Sequence, residues 1–83
     1  MASEYFINPL AVLFHPFLDR QNNHETIVFN PQTNNILKIN RFGYDILKAI
    51  EAHPGISLDC WQNETKITEF IMQMVKENIV LEK

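Results

Sequence analysis

Four side chains in this sequence carry the chemistry for metal ligation or nucleophilic attack: His15, His24, His53 and Cys60. Structural zinc sites draw on close-set ligand pairs, such as cysteines separated by roughly two to four residues. None of the four stands in such a pair, so no metal and no other cofactor is expected. Cys60 lies beside Trp61, but a thiol becomes a nucleophile only where a neighbouring base or positive group favours the thiolate. The adjoining residues supply neither a base nor an oxyanion device, and Cys60 reads as a small buried hydrophobe. A phosphate-cradling loop needs several glycines, and Gly43 and Gly55 are the only ones. With no catalytic group in view, an enzyme reading has little support.

The backbone changes period inside one stretch, "NNILKINRFGYDILKAI", from Asn34 to Ile50. Leu37 and Ile39 alternate with Lys38 as in a half-buried strand, whereas Phe42, Ile46, Leu47 and Ile50 recur at helical spacing. Asn40 stands at the change and can cap the helix by accepting a hydrogen bond from one of its first free amides. The first helix is therefore expected over Arg41 to Ala52, with Gly43 allowing it to approach the sheet closely. His53-Pro54-Gly55 ends it.

Upstream, "LAVLFHPFL" is apolar and β-prone, with Pro16 suited to an edge strand or a bulge. A turn at Asn22-Asn23 leads to "TIVFN", and a second at "PQTNN" leads to "ILKIN", giving a meander of three strands. Downstream, Ser57 can cap a very short helix over "LDCWQ", where Trp61 closes the core. From Thr65 the series Ile67, Phe70, Ile71, Met74 and Val75 marks one face of an amphipathic helix. Asn78 fits a left-handed stop, and "IVLE" a short tail that folds back. The expected fold is α+β, a single domain over residues 1–83. Its order is β-β-β-α-α-α, a three-stranded antiparallel sheet followed by three helices, the second short.

Composition sets the same limits. A chain of 83 residues with 46% hydrophobic content suits one modest core that buries roughly 60% of the unfolded surface. A net charge of −3 leaves no basic excess to neutralise phosphates, which disfavours nucleic acid, anionic membranes and acidic partners. The longest apolar run, Pro9 to Phe14, is broken by His15 and Pro16 and falls far short of the ~20 residues that span a bilayer. A lone cysteine forms no internal disulfide and the N-terminus does not read as a cleavable signal, so the expected compartment is the reducing cytoplasm.

The order of elements and three stretches of residues resemble the PqqD-like domains known as RiPP recognition elements. "ETIVFNPQTNNILKIN" resembles the family's strand-turn-strand ending in Leu-Asn or Ile-Asn, and "NRFGYDILKAIE" its Asn-x-x-Gly helix start. "KITEFIMQMVKENIVLE" is similar to its last helix and hydrophobic exit. The similarity spans Val12 to Glu82. It implies a winged helix-turn-helix-like fold and a catalytically inert domain that binds the leader segment of a ribosomally made precursor peptide by β-strand addition. The leader is then delivered to a modifying enzyme, such as a radical SAM enzyme or a leader peptidase. The implied docking strand is the third, with Asn35, Ile36, Leu37, Lys38 and Ile39, and the peptide would lie against the last helix, with Thr68, Phe70, Met72 and Val75 as candidate contacts.

The residues themselves make the same edge plausible. In a three-strand meander the first and third strands are exposed at the edges; Pro16 blunts the first, while "NILKIN" holds no proline. Roughly four backbone hydrogen bonds at about 0.5–1.5 kcal/mol each fall short of an association cost of about 4–15 kcal/mol. Apolar peptide side chains must therefore fill a groove. On a helical wheel Met72 lies off the core arc, near Thr68 and Val75, and its flexible thioether suits an adaptable groove; the alternative is the opposite flank, near Lys66, Phe70 and Gln73. Phe70 and Met74 read as core. The open edge could instead pair with a second copy of the chain. Two other classes remain: a small adaptor for a protein partner, and a winged-helix DNA-binding regulator. The second is ill served by the last helix and its flanks, where Glu64, Glu69 and Glu77 outnumber Lys66 and Lys76.

Overall fold

The computed structural model describes residues 3–83. In chain order the strands are β1 (Tyr5–Ile7), β2 (Val12–Leu13), β3 (Phe17–Leu18), β4 (His24–Asn30) and β5 (Asn35–Asn40). Helix α1 (Arg41–Ala52), a short 3-10 helix over Leu58–Trp61, helix α2 (Thr65–Lys76) and strand β6 (Val80–Glu82) follow. The class is α+β, but the expected plan of a three-stranded sheet and three helices is wrong. The described residues form six strands in two sheets and two α-helices.

The main sheet is built on β4, which pairs with β5 on one side and with β2 and β3 on the other, all antiparallel. The expected first strand is thus two strands. From Leu13 to Phe17 the chain advances four residues, while their partners on β4, Val28 and Glu25, lie three apart. The extra residue is a β-bulge at His15-Pro16, where proline has no N–H to give the ladder. The bulge leaves Phe14 and Phe17 on one face, because Phe14 N–H bonds Ile27 O at 3.0 Å and Phe17 sits opposite Glu25.

The strand-to-helix join forms as the sequence suggests. Asn40 is extended and its side chain accepts from Gly43 N–H at 3.0 Å, capping α1. Ile46, Leu47 and Ile50 of α1 then enter the core with Val28 and Ile39 of the sheet and Ile71 and Met74 of α2. The very short second helix expected over "LDCWQ" is a 3-10 turn, Leu58–Trp61, capped by Ser57. Gln62 and Asn63 both take left-handed backbone angles, φ 55° and 54°, which no continuing helix accommodates. Trp61 packs on the core from this turn, as expected. Cys60 faces outward instead and is exposed, since a single short turn can bury only one side.

The second sheet was not foreseen. After α2, Asn78 adopts φ 60° and Ile79 N–H bonds back to Met74 O at 2.9 Å, the left-handed stop that turns the chain. The returning tail pairs as β6 with β1, Ile7 opposite Val80 and Tyr5 opposite Glu82. Strands of three residues show no period for a sequence reading to find. The turn is held from inside: Asn8 Nδ2 and Asn30 Nδ2 both donate to Asn78 O, at 2.7 and 2.9 Å. Asn30 is fully buried, and its own Oδ1 accepts from Gln32 N–H in the β4–β5 turn.

Asn30→Ala should therefore cost about 1–3 kcal/mol in urea unfolding, because it removes a buried side chain together with its two hydrogen bonds, to Asn78 O and from Gln32 N–H. A second prediction concerns alkaline pH. Burial raises the pKa of the Tyr5 phenol above its ordinary value, and the Glu82 carboxylate that accepts its hydrogen bond raises it further. With the folded pKa above the unfolded one, the contribution is complete below about pH 10 and is lost as pH rises through the folded value. Tyr5→Phe should flatten the decline of stability with pH above that point, measured by thermal unfolding across an alkaline series.

Candidate functional site

Side chains on β5 alternate: Leu37 and Ile39 turn inward, while Ile36, Lys38 and Asn40 are exposed. Its backbone alternates as well, in the plane of the sheet. Because Ile27 O accepts from Phe14, the N–H and C=O of Ile27 both point toward β2. Lys38, which faces Ile27 across the other flank, therefore turns its own N–H and C=O away from β4. By the two-residue period Ile36 does the same. Among the described residues neither amide has a hydrogen-bond partner. The sequence left open which of the two pointed outward; both do.

Helix α2 lies beside this edge. Asn35 Nδ2 donates to Glu77 Oε2 at 2.9 Å, tying the start of β5 to the C-terminal end of α2. At the other end, Gly43 lets the Phe70 ring come so close that a Cβ there would lie 2.7 Å from a ring carbon and 3.2 Å from Ile39 Cβ. Phe70 also meets Phe42 edge to face, centroids 6.3 Å apart. Phe70, Gln73 and Glu77 share one flank of α2 at i, i+3 and i+7, and Gln73 Nε2 bonds Glu77 Oε1. That flank is the one that faces β5.

The structure thus brings together Asn35, Ile36, Leu37, Lys38, Ile39 and Phe70. It does not bring Met72, Thr68 or Val75 to them. Met72 is exposed, as its wheel position suggests, but it sits about 160° around the helix from Phe70. Thr68 shares that other side and bonds its hydroxyl back to Glu64 O, and Val75 packs against the core. Gln73 lies on the flank, with Lys66 and Phe70, that the sequence reading keeps as the alternative to Met72; Glu77 is the residue that it missed. The signal for Glu77 was its spacing from Phe70, usable only once the helix flank facing β5 is known. Among the described residues no three His, Cys, Asp or Glu side chains gather as a metal site, and no helix is long and apolar enough to cross a membrane.

Gly43→Ala tests how tightly this corner is packed. Alanine gains about 1 kcal/mol in helix propensity, yet its methyl must displace Phe70. A net loss of about 1 kcal/mol or more is expected in urea unfolding, and a net gain would show that Phe70 moves freely. No protein-family model, no curated protein and no solved structure matches the chain, so the likeness to RiPP recognition elements rests on the residues quoted for it.

Proposed function

We propose that this chain is a non-catalytic binding domain for the leader segment of a ribosomally synthesised precursor peptide, which adds to the main sheet as a strand beside β5. The observation that carries the reading is the pair of outward-facing residues, Ile36 and Lys38, whose two N–H and two C=O groups lie unpaired on a proline-free edge. Four such bonds contribute about 2–6 kcal/mol, which does not cover the cost of association. The remainder has to come from alternate peptide side chains that turn inward, toward Leu37, Ile39 and Phe70. Asn35 and Glu77 bound that space at one end with polar groups, which favours an apolar peptide segment followed by a polar residue there.

The reading does not depend on a winged-helix arrangement. A free edge beside a helix flank is sufficient, and the chain offers both. A peptide held this way stays extended and accessible, ready to be passed to a modifying enzyme such as a radical SAM enzyme or a leader peptidase. The work belongs to the cytoplasm, where the exposed thiol of Cys60 stays reduced.

Lys38→Pro removes one outward N–H without touching a ladder bond, and a proline ring is tolerated on an edge strand. The variant should keep its circular dichroism spectrum and bind a leader peptide encoded beside the gene about tenfold more weakly, or worse, by calorimetry. Leu37→Pro, which breaks a bond to β4, should unfold the sheet. If folded Lys38→Pro binds the peptide as tightly as the parent, strand addition at β5 is wrong.

A further inference from the structure

The outward face of the main sheet is a surface distinct from the β5 edge. Cross-strand register arranges its side chains in three rows: Val12, Phe29 and Ile36; Phe14, Ile27 and Lys38; Phe17, Glu25 and Asn40. Six of these nine are large and apolar. Val12, Phe14, Phe17 and Ile36 keep 42, 50, 42 and 67% of their surface exposed. Phe14, Ile27, Phe29 and Ile36 line a shallow, wholly apolar depression of about 330 Å³. Both helices pack on the other side of the sheet, so nothing among the described residues covers this face.

We propose that the face docks a second copy of this chain, sheet against sheet about a twofold axis. Charge points to that occupant. The chain as a whole carries −3 and repels its copies, but on this face Lys38 and Glu25 neutralise each other at 3.2 Å. A strongly basic or acidic partner finds no charge to pair with here, whereas a copy meets no net repulsion. Shape agrees, since the projecting Ile36 of one copy has an apolar depression on the other to enter. Sheets stacked this way lie about 10 Å apart with side chains interleaved.

Area sets the strength. The four exposed side chains present about 400 Å² of apolar surface, within the range of the largest patch on a monomer. With Ile27, Phe29 and the stem of Lys38 added, the pair of copies buries about 1,000–1,200 Å², at the small end of specific interfaces. The dimer is therefore reversible and concentration-dependent. A peptide added at β5 does not satisfy the same face, because Val12, Phe14 and Phe17 lie on the opposite side of β4 from that edge. The inference is independent of peptide binding.

The test is sedimentation equilibrium of the full chain from about 5 to 500 µM, with Phe14→Glu and Val12→Lys alongside, the range over which an interface of this size associates. The parent should shift from 9.7 kDa toward twice that mass. Each variant should weaken association at least about tenfold, since it buries an unpaired charge, with an unchanged thermal midpoint because both positions are solvent-exposed. Should either variant fail to fold, the other carries the comparison. A parent that stays at monomer mass throughout the range overturns the proposal. So does a dimer that survives both substitutions, or one abolished by Lys38→Pro while Phe14→Glu leaves it intact, which would be pairing through the β5 edge.

Discussion

The carbonyl of Asn78 is the point on which the rest of the structure turns. It belongs to a residue in the left-handed conformation at the end of α2. Two side-chain amides, from the buried Asn8 and Asn30, converge on it. Each of those asparagines also accepts from its own turn, at Leu10 and Gln32, so both are held on two sides. One oxygen thereby joins the exit of β1, the hairpin between β4 and β5, and the reversal that starts β6. Because the hairpin delivers β5 and the reversal ends α2, the distance between the β5 edge and the helix flank is fixed from this node.

The second constraint is the bulge at His15-Pro16. An uninterrupted strand would have kept a single register along β4, and one residue of slip would have exchanged the faces of everything beyond it. The inserted residue compensates, so that Phe14 and Phe17 stand on the outward face together while Leu13 turns into the core-packed layer. The helices then have one face of the sheet to cover. With Ile46, Leu47 and Ile50 of α1 and Ile71 and Met74 of α2 buried there, no element among the described residues remains for the other face.

The sequence was most legible where one residue type does one local task. Asn40 marked the change of period and caps α1; Asn78 marked the stop of α2; Pro16 marked the interruption of the first strand. These are short-range effects, decided within a turn of the chain. What escaped was decided at long range. Tyr5-Phe6-Ile7 is too short to show a period, and it becomes a strand only because the tail after Asn78 returns to pair with it. The short second helix, read correctly over Leu58 and its neighbours, takes the 3-10 form and ends where Gln62 and Asn63 adopt left-handed angles, which neither residue type requires. The wheel of α2 separated its core arc correctly, yet a wheel has two flanks. Only the tie from Asn35 to Glu77 and the close approach of Phe70 to Gly43 determine that the Gln73 flank, and not the Met72 flank, looks toward β5.

The two surfaces left open differ in kind. At the β5 edge the exposed groups are dipoles in the plane of the sheet, so they impose direction and register on whatever pairs with them. On the outward face the exposed groups are hydrocarbon standing perpendicular to that plane, which contributes area without direction. Ile36 and Lys38 take part in both, their amides in the first and their side chains in the second. Since a strand's amides and side chains point at right angles, filling one surface does not occlude the other. Neither is large enough for tight association by itself. A small chain whose core exhausts its helices on one face is therefore left with two open surfaces, one directional and one not.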